Sequence, residues 1–251
     1  MLTTGDLERA LAGAGLAAPV RADEVTGSTN ATAHALAEEG SPEWTLVSAA
    51  HQIAGRGRLG REWQDGPGEA LLCSFVLRPA LDPARAGLLT LLAGAALAEA
   101  ARSLGARAGC KWPNDLMTPG GKAGGILAEA VVSGDTLRHV VIGTGVNLGV
   151  APSGVPGATA LPGVAPAPLL GRYLAAFARR YAPGDAGFAD GVLAAARAVS
   201  VTLGREVEAE RADGETVTGT AVDLDAEGGL VVDTARGRVT LAFGEVVHVR
   251  R

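Results

Sequence analysis

The apolar positions along the chain fall into four runs of strand length and one longer run. Residues 86–105 are apolar over most of their length and stop at Gly105, which predicts a buried helix ended by a glycine. Many of the short runs are apolar enough to be covered on both faces of a sheet, and they span residues 44–52, 70–77, 124–132 and 139–148. The pattern predicts a sheet with helices, of the α/β or α+β type.

Other segments predict four further helices. Residues 7–15 predict a short helix, and residues 31–39 predict a second one, capped by residues 28–30 (STN) and closed by Gly40. Two alanine-rich helices are expected near residues 168–182 and 188–198.

The pattern of apolar and polar residues changes after Thr202. Short alternating segments, typical of half-buried strands, are separated there by turn residues. A small antiparallel barrel of about 50 residues is the expected result, with turns at Asp213-Gly214, Glu227-Gly228-Gly229 and Arg236-Gly237. Before it, the proline- and glycine-rich residues 149–168 predict a connector or an exposed loop. We therefore expect one domain over residues 1–199 and a second over residues 200–251.

Composition and charge exclude several classes of protein. With 251 residues, 47% of them hydrophobic, the chain can bury a full core and is too apolar to be disordered. A net charge of −5 argues against nucleic-acid binding through an overall positive charge. Glu99 and Arg102 interrupt the long apolar run, so no membrane span is expected, and the N-terminal residues do not resemble a signal peptide. Cys73 and Cys110 have no metal or redox spacing, which fits a reduced, cytoplasmic protein.

Lysine and asparagine are rare in this chain. The 22 basic residues include only two lysines, Lys111 and Lys122, and the asparagines are Asn30, Asn114 and Asn147. Lysine is a compact point charge, and the asparagine amide both donates and accepts hydrogen bonds. We therefore expect these residues where Arg or Asp cannot substitute, in turn-like segments and not on helix faces.

Residues 55–61 (GRGRLGR) follow a predicted strand and predict a mobile loop that closes on phosphate or carboxylate. The glycines let the backbone wrap an anion, and the guanidinium groups neutralise it. The segment also matches the dinucleotide-binding pattern G-x-G-x-x-G, but a polar stretch broken by glycine and proline follows it instead of a helix. A solvated arginine-rich turn is the remaining alternative.

Three later segments carry further candidate chemistry. Residues 111–115 (KWPND) combine a charge, an aromatic ring, a fixed φ angle, an amide and a carboxylate, although a plain turn with a Lys–Asp ion pair would share these residues. Residues 120–125 (GGKAGG) place Lys122 between glycine pairs, either in a flexible hairpin or as a point charge for a carboxylate or phosphate. Residues 143–148 (GTGVNL) end a strand with glycines and an amide, suited to a flat ring.

Together these segments resemble the biotin protein ligases, also called biotin-[acetyl-CoA-carboxylase] ligases. The matching pieces, in the family's order and at its spacing, are STNATA, HQIAGRGRLGREW, KWPNDL, GGKAGGILAE and GTGVNL. The resemblance implies an α+β (α/β-like) fold, with a mixed sheet and helices of the class II synthetase or biotin–lipoate ligase type and a small C-terminal SH3-like β-barrel. Roughly 20 residues precede the first motif, too few for a DNA-binding module, so the resemblance is to monofunctional members.

The resemblance also implies a reaction in two steps. Biotin and ATP form biotinyl-5′-AMP and pyrophosphate, and a lysine of a biotin carboxyl carrier protein of acetyl- or acyl-CoA carboxylase then attacks the mixed anhydride. Cations have to offset the repulsion between the two anions. The implied small molecules are ATP, Mg²⁺ and biotin. The implied enzyme is a cytoplasmic monomer or homodimer that binds the carrier, and neither nucleic acid nor a membrane.

Residue by residue, the motifs imply three groups of site residues. The implied catalytic residues are Lys122, which bridges the carboxylate and the α-phosphate, Arg58, and Asp115, which acts as a base, as an orienting group or as a Mg²⁺ ligand. The implied biotin-binding residues are Ser28, Thr29, Asn30, Gln52, Arg56, Gly57, Arg58, Lys122 and Gly125. The implied nucleotide-binding residues are Arg56, Arg58, Arg61, Trp63, Lys111, Asn114 and Asn147.

Two alternative functions remain open at this point. Enzymes that attach lipoate or octanoate use a related catalytic fold, but they generally lack the GRGR loop and KWPND together. A non-catalytic biotin or nucleotide sensor would keep the pocket without needing Lys122. The four histidines lack metal-ligand spacing, so Mg²⁺ with ATP is the only metal expected.

Overall fold

The computed structural model describes residues 1–66, 68–210, 216–242 and 245–248. Its helices are α1 (Thr4–Gly13), α2 (Thr29–Glu38), α3 (Gly87–Ser103), α4 (Pro166–Ala178) and α5 (Phe188–Val199). A first sheet contains β1 (Val20–Thr26), β2 (Leu46–Gln52), β3 (Ala70–Leu77), β4 (Gly109–Lys111), β5 (Asp115–Thr118), β6 (Gly121–Ser133) and β7 (Thr136–Asn147). A second sheet contains β8 (Glu206–Glu210), β9 (Thr216–Leu224), β10 (Leu230–Thr234), β11 (Gly237–Leu241) and β12 (Glu245–His248).

The first sheet is mixed, in the strand order β1-β2-β3-β7-β6-β5-β4. Strands β1 and β2 run parallel, whereas every other neighbouring pair is antiparallel. The four strands predicted from apolar runs are its central members β2, β3, β7 and β6. Strands in the middle of a sheet are the ones most completely covered by other parts of the protein, and such strands have nearly continuous apolar sequences. The α+β class with a mixed sheet is confirmed.

Three strands of this sheet were missed in the sequence. Strand β1 carries Asp23 and Glu24, residue types that are depleted in strands, and it is held by parallel pairing with β2. Strands β4 and β5 are three and four residues long and flank the residues 112–114 turn. Their pairing is a tertiary effect that local propensity does not reveal.

Helix α3 is a buried core helix. With the turn before it, the segment Pro83–Ser103 is long and apolar enough to cross a membrane by length and composition, but 78% of an apolar 18-residue stretch within it is buried inside the protein. It packs against α4, α5 and the strands β4, β5 and β6. The apolar sequence therefore serves the core.

The start of α2 differs from its prediction. Ser28 occupies the N-cap position, but its side chain makes no capping hydrogen bond. Asn30, expected in a turn, lies inside the helix and is buried, which corrects the expectation that the asparagines avoid helix faces. The reason is that its amide bonds to residues of the sheet below, as described in the next section.

The connector before α4 is not simply an exposed loop, and this corrects the prediction for residues 149–168. Its middle part pairs with the first residues of β6. The Lys122 backbone N–H donates to the Gly157 carbonyl at 2.8 Å, and the Thr159 backbone N–H donates to the Lys122 carbonyl at 2.8 Å. The segment is thereby held beside Lys122, a contact that proline and glycine content cannot reveal.

The second unit is a five-stranded antiparallel sheet in the order β11-β10-β9-β8-β12. This confirms the predicted small all-β unit, while the turn predicted at Asp213-Gly214 lies outside the described residues. The indole Nε1–H of Trp112 donates to the Gly228 carbonyl at 2.9 Å, so the β9–β10 turn contacts the KWPND segment. The division of the chain at residues 199 and 200 stays a prediction.

Both cysteines are free and buried. Burial raises the pKa of the Cys73 thiol to about 12, and burial together with the nearby Asp115 charge raises the pKa of the Cys110 thiol to about 12. Such thiols are inert packing groups at neutral pH.

Candidate functional site

All fifteen site residues predicted from the sequence line one cavity of about 590 Å³. The cavity lies between the start of α2, the loop of residues 55–64, strands β6 and β7, and the KWPND segment. The structure thus brings together residues that are up to about 120 positions apart in the chain, although the role of each one stays a prediction.

At one end of the cavity, the side chains of Thr29 and Gln52 fix each other. The Thr29 backbone N–H donates to Gln52 Oε1 at 2.7 Å, and the Thr29 hydroxyl donates to the same oxygen at 3.1 Å. A backbone N–H is a donor only, so the oxygen of the Gln52 amide must face Thr29. The Gln52 amide therefore has its NH₂ group left to donate to a ligand.

The Asn30 amide lies beside this pair and bonds to strands β3 and β6. Its Nδ2 donates to Glu129 Oε2 at 2.6 Å and to the Leu127 carbonyl at 3.3 Å, while Ser74 Oγ donates to its Oδ1 at 2.6 Å. Gly143 of β7 lies against this amide, and a Cβ atom there would overlap it. A glycine at position 143 is thus what admits the Asn30 side chain.

We call Ser28, Thr29, Asn30 and Gln52, together with Ser74, which supports Asn30 from outside the cavity lining, the amide end of the cavity. Ser28, Thr29, Asn30 and Ser74 are each no more than 5% exposed. The side chains of Thr29, Asn30 and Ser74 have fixed protein partners in place of water, as buried polar groups require. This end can hold a neutral ligand group that both donates and accepts hydrogen bonds.

The loop of residues 55–64 crosses the cavity as a narrow hairpin. The Gly57 N–H donates to the Arg61 carbonyl at 2.7 Å, and the Trp63 N–H donates to the Gly55 carbonyl at 2.9 Å. A single 3₁₀ turn, Arg58–Gly60, forms its tip, with Leu59 at a φ of 56°. The dinucleotide-binding alternative is wrong, because neither a long helix nor a parallel strand follows this loop.

The opposite end of the cavity is cationic. Lys122 Nζ lies 2.6 Å from Asp115 Oδ1, and Lys111 is the register partner of Asp115 across the β4–β5 pair. Arg58 Nη1 donates to Asn114 Oδ1 at 3.1 Å. We call Arg58, Lys111 and Lys122 the cationic end. The Lys122–Asp115 ion pair joins KWPND to the GGKAGG segment. The alternative of a plain turn involved no contact with a later segment.

Asn114 and Asn147 hold backbone segments that border the cavity. Asn114 Nδ2 donates to the Ile126 carbonyl of β6 at 2.8 Å, and Asn147 Nδ2 donates to the Thr159 carbonyl of the connector at 2.9 Å. Each amide therefore joins two parts of the wall, in addition to the ligand contact predicted for it.

The Trp63 ring lies over the glycines of β6 and β7. A Cβ atom at Gly145 would lie 2.6 Å from Trp63 Cε2, and one at Gly125 would lie 3.8 Å from Trp63 Cζ3. The buried Trp63 indole Nε1–H finds no hydrogen-bond partner among the described residues. Because this nitrogen is also shielded from the cavity, a ligand acceptor reaches it only when the ring or its loop shifts.

Sequence reasoning missed several residues of this site. Ser74 and Glu129 were counted only as members of apolar strands, and residues 152–158 of the connector, five of which line the cavity, were assigned to an exposed loop. A signal was present for two of them, since Ser74 interrupts the run ALLCSFVL and Glu129 is the only charge in GGILAEAVV. The connector offered no such signal.

The described residues contain no group of three or more His, Cys, Asp or Glu side chains that could hold a metal ion by themselves. Asp115 and Asn114 are neighbouring oxygen-bearing residues of the cavity wall. One carboxylate combined with substrate phosphates is a normal donor set for Mg²⁺, so these residues fit a metal that arrives with a nucleotide.

Comparisons with known proteins agree on one family. Residues 23–147 match the model of the biotin/lipoate A/B protein ligase family, and residues 202–249 match the biotin protein ligase C terminal domain. The chain is 38% identical over 237 residues to a biotin--[acetyl-CoA-carboxylase] ligase of Mycobacterium tuberculosis, covering 90% of this chain and 87% of that protein. It is 38% identical over 236 residues to the enzyme of that name from Paracoccus denitrificans, covering 88% and 97%.

A solved structure shares the fold. The biotin protein ligase from Aquifex aeolicus in complex with biotin and ATP superposes with a TM-score of 0.73 at 24% identity, covering 93% of this chain and 99% of that one.

Proposed function

This chain belongs to the biotin protein ligase family, and on that premise we propose a role for each part of its cavity. The protein is an ATP-dependent ligase that converts biotin to biotinyl-5′-AMP and transfers the biotin to a lysine of a biotin carboxyl carrier protein. The observation that carries the residue roles is that buried amides and two kinds of cation face one cavity. Biotin has a neutral ureido ring at one end and a carboxylate at the other, and the cavity has the matching polarity.

In the first step, an oxygen of the biotin carboxylate attacks the α-phosphorus of ATP, and pyrophosphate leaves. The amide end holds the ureido ring through Ser28, Thr29, Asn30 and Gln52. Arg56, Gly57, Arg58 and Gly125 border the path of the valerate chain and its carboxylate. Lys122 lies between carboxylate and α-phosphate, where its charge offsets their repulsion and the negative charge that develops on the phosphate.

The sequence left three roles open for Asp115: a base, an orienting group or a Mg²⁺ ligand. The geometry favours the role of orienting Lys122. Its carboxylate contacts Lys122 Nζ at 2.6 Å and can therefore fix where the ammonium group points. Mg²⁺ bound with ATP would be held by the phosphates and, on the protein side, by Asp115 with Asn114 beside it. Bound there, the ion would supply Lewis acidity and charge neutralisation.

We assign the remaining nucleotide contacts from the positions of the residues in the cavity wall. Arg61 and Lys111 line the cavity and supply positive charge for the pyrophosphate part of ATP. Trp63 covers the adenine, with its unpaired indole N–H as a donor, and Asn147 borders the same region through its bond to the connector. These assignments predict that ATP binding orders the loop of residues 55–64.

In the second step, the amine of the carrier lysine attacks the acyl carbon of biotinyl-5′-AMP, an amide forms, and AMP leaves. The lysine has to lose a proton first, since a free lysine has a pKa of about 10.4. The partner we propose is the biotin carboxyl carrier protein or domain of an acetyl- or acyl-CoA carboxylase in the cytoplasm. The resemblance allows either a monomer or a homodimer, and sedimentation with and without ligand distinguishes the two.

The experiment that tests this function is ATP–pyrophosphate exchange with biotin, lipoate and octanoate in parallel. It isolates the first step and needs no carrier. We expect exchange with biotin alone, followed by biotin transfer when a purified carrier domain is added. Exchange with lipoate or octanoate alone would establish the alternative ligase, and tight biotin binding without exchange would establish a sensor.

A further inference from the structure

Glu129 of β6 connects the amide end of the cavity to the loop of residues 55–64. A single carboxylate oxygen, Oε2, accepts from Asn30 Nδ2 at 2.6 Å and lies 3.3 Å from Arg56 Nη2. Glu129 does not line the main cavity itself, so it acts on a ligand there only through these neighbours. We propose that Glu129 is a positioning residue for biotin: it fixes the Asn30 amide with its oxygen available to the ureido group and holds Arg56 over the pocket. The inference rests on the proposed function.

The orientation of the Asn30 amide follows from its partners. The Glu129 carboxylate and the Leu127 carbonyl are acceptors only, so the group facing them has to be the NH₂ group. Both amide hydrogens are then used. Ser74 donates to Oδ1, which leaves one acceptor position on that oxygen as the remaining hydrogen-bonding capacity of Asn30.

This orientation suits a ureido group. Ureido nitrogens are donors, which Asn30 Oδ1 can accept, and the ureido carbonyl is an acceptor, to which the Gln52 NH₂ group can donate. A dithiolane ring such as that of lipoate supplies neither kind of group. Since buried polar groups left unpaired are costly, the fixed amides select for biotin against an apolar ring.

The charge on Glu129 contributes as well as its hydrogen bond. The His34 side chain, with Nε2 3.7 Å from Oε2, makes the largest contribution to holding the pKa of Glu129 below its usual value, and Asn30 and Arg56 lower it further. Glu129 is therefore an anion at neutral pH. An anion at this position attracts Arg56, a side chain on the loop that is 47% exposed and would otherwise point freely into water.

Two substitutions separate the hydrogen bond from the charge. Glu129→Ala removes both, and we expect the KM for biotin to rise about 10-fold while the KM for ATP changes less than about 2-fold. Glu129→Gln keeps an amide oxygen for Asn30 but loses the ion pair with Arg56. We expect it to recover most of the affinity, with a KM for biotin about 3-fold above that of the wild type.

Glu38→Gln is the matched control. Glu38 contacts His139, which in turn bonds to His34, but Glu38 has its own ion pair with Arg138 on the protein surface and lies outside the cavity. We expect wild-type KM values for both substrates. Melting temperatures of the variants, measured without ligand, identify any loss of the fold, and Glu129→Gln preserves the shape of the side chain if Glu129→Ala unfolds.

The assay is biotin-dependent ATP–pyrophosphate exchange by the full chain. A KM for biotin that is unchanged in both Glu129 variants would overturn the inference and leave the proposed function intact. A parallel rise of both KM values would also overturn it, because a general structural role affects both substrates. A wild-type protein that exchanges with lipoate and not with biotin would overturn the proposed function and this inference together.

Discussion

The two ends of the cavity are built in opposite ways. At the amide end, Asn30 and Ser74 are 4% and 0% exposed, and both side chains have fixed protein partners. At the cationic end, the Lys122 side chain is 43% exposed. A neutral head group is thus met by a preformed hydrogen-bonding surface, whereas the phosphates are met by charges that remain partly hydrated.

Physical chemistry explains this difference. Amides can be buried at low cost when every donor and acceptor is paired, and they then stay in one orientation. Burying several like charges together without a counter-ion would cost far more, so the cations stay near water until ATP supplies the opposite charge. Asp115 holds one of these cations, Lys122, in place meanwhile.

The largest effect is expected for Lys122→Gln at the cationic end. Removing the charge that offsets the carboxylate and the α-phosphate should lower the rate of ATP–pyrophosphate exchange about 10²- to 10³-fold. The KM for biotin should rise by a smaller factor than the rate falls, because the contact of Lys122 with the biotin carboxylate is lost while the amide end is untouched. Steady-state exchange kinetics measure both quantities.

Lys122→Arg is the companion variant. Arginine keeps the charge but spreads it over a planar fork, so we expect only partial recovery, to a rate about 10-fold or more below the wild type. Melting temperatures should stay near that of the wild type because the side chain is half exposed. A Lys122→Gln protein with the wild-type rate would remove Lys122 from the catalytic step.

The second effect, at the amide end, is expected for Gly143→Ala. The added methyl group would overlap the Asn30 amide, so Asn30 has to move from its partners Glu129 and Ser74. We expect the KM for biotin to rise about 10-fold or more, as overpacking of a close contact costs about 1–3 kcal/mol. Titration calorimetry with biotin alone gives the same quantity as a dissociation constant.

Gly171→Ala in α4 is the control for this substitution. No atom lies within 4 Å of the Cβ position at Gly171, and a helical alanine is favoured over glycine. Its affinity for biotin should equal that of the wild type. Equal affinities for both glycine variants would show that the Asn30 position does not matter for binding.

A smaller effect is expected for Ser74→Ala. The change removes the hydroxyl that donates to Asn30 Oδ1, at a cost of about 1 kcal/mol, so the KM for biotin should rise about 5-fold. Ser48→Ala on the neighbouring strand is the control, since Ser48 is equally buried and donates to the Leu72 carbonyl away from the cavity. The two variants should lose similar stability, and only Ser74→Ala should weaken biotin binding.

The smallest expected effect is a difference in the salt dependence of ligand binding between the two ends of the cavity. Raising the ionic strength from about 0.1 M to about 1 M shortens the Debye length from about 10 Å to about 3 Å. The KM for ATP should rise about 3-fold, because half-exposed cations bind its phosphates. Biotin methyl ester, an uncharged ligand for the amide end, should bind with an affinity that changes less than about 1.5-fold. Equal salt dependence for both ligands would argue against separate ends.

Much of the fold and the site follows from local sequence. The central strands β2, β3, β6 and β7 are long apolar runs, and α3 combines an apolar length with a glycine stop, so burial and chain termination identify them. The edge strands β1 and β4, and β5 beside β4, are short or polar. Their existence depends on a partner strand, which a single segment does not contain.

The sequence by itself determined which residues carry the chemistry. The spacing of GRGR, KWPND and the lysine between glycines, with only two lysines in the chain, identified Arg58, Asp115 and Lys122 as candidates. The tertiary structure alone decided how they are held. The Lys122–Asp115 ion pair forms between the adjacent strands β5 and β6, whereas the Asn30–Glu129 hydrogen bond across 99 positions and the connector beside Lys122 join distant parts of the chain. Such contacts depend on how strands and helices pack in space, and no local pattern of residues encodes them.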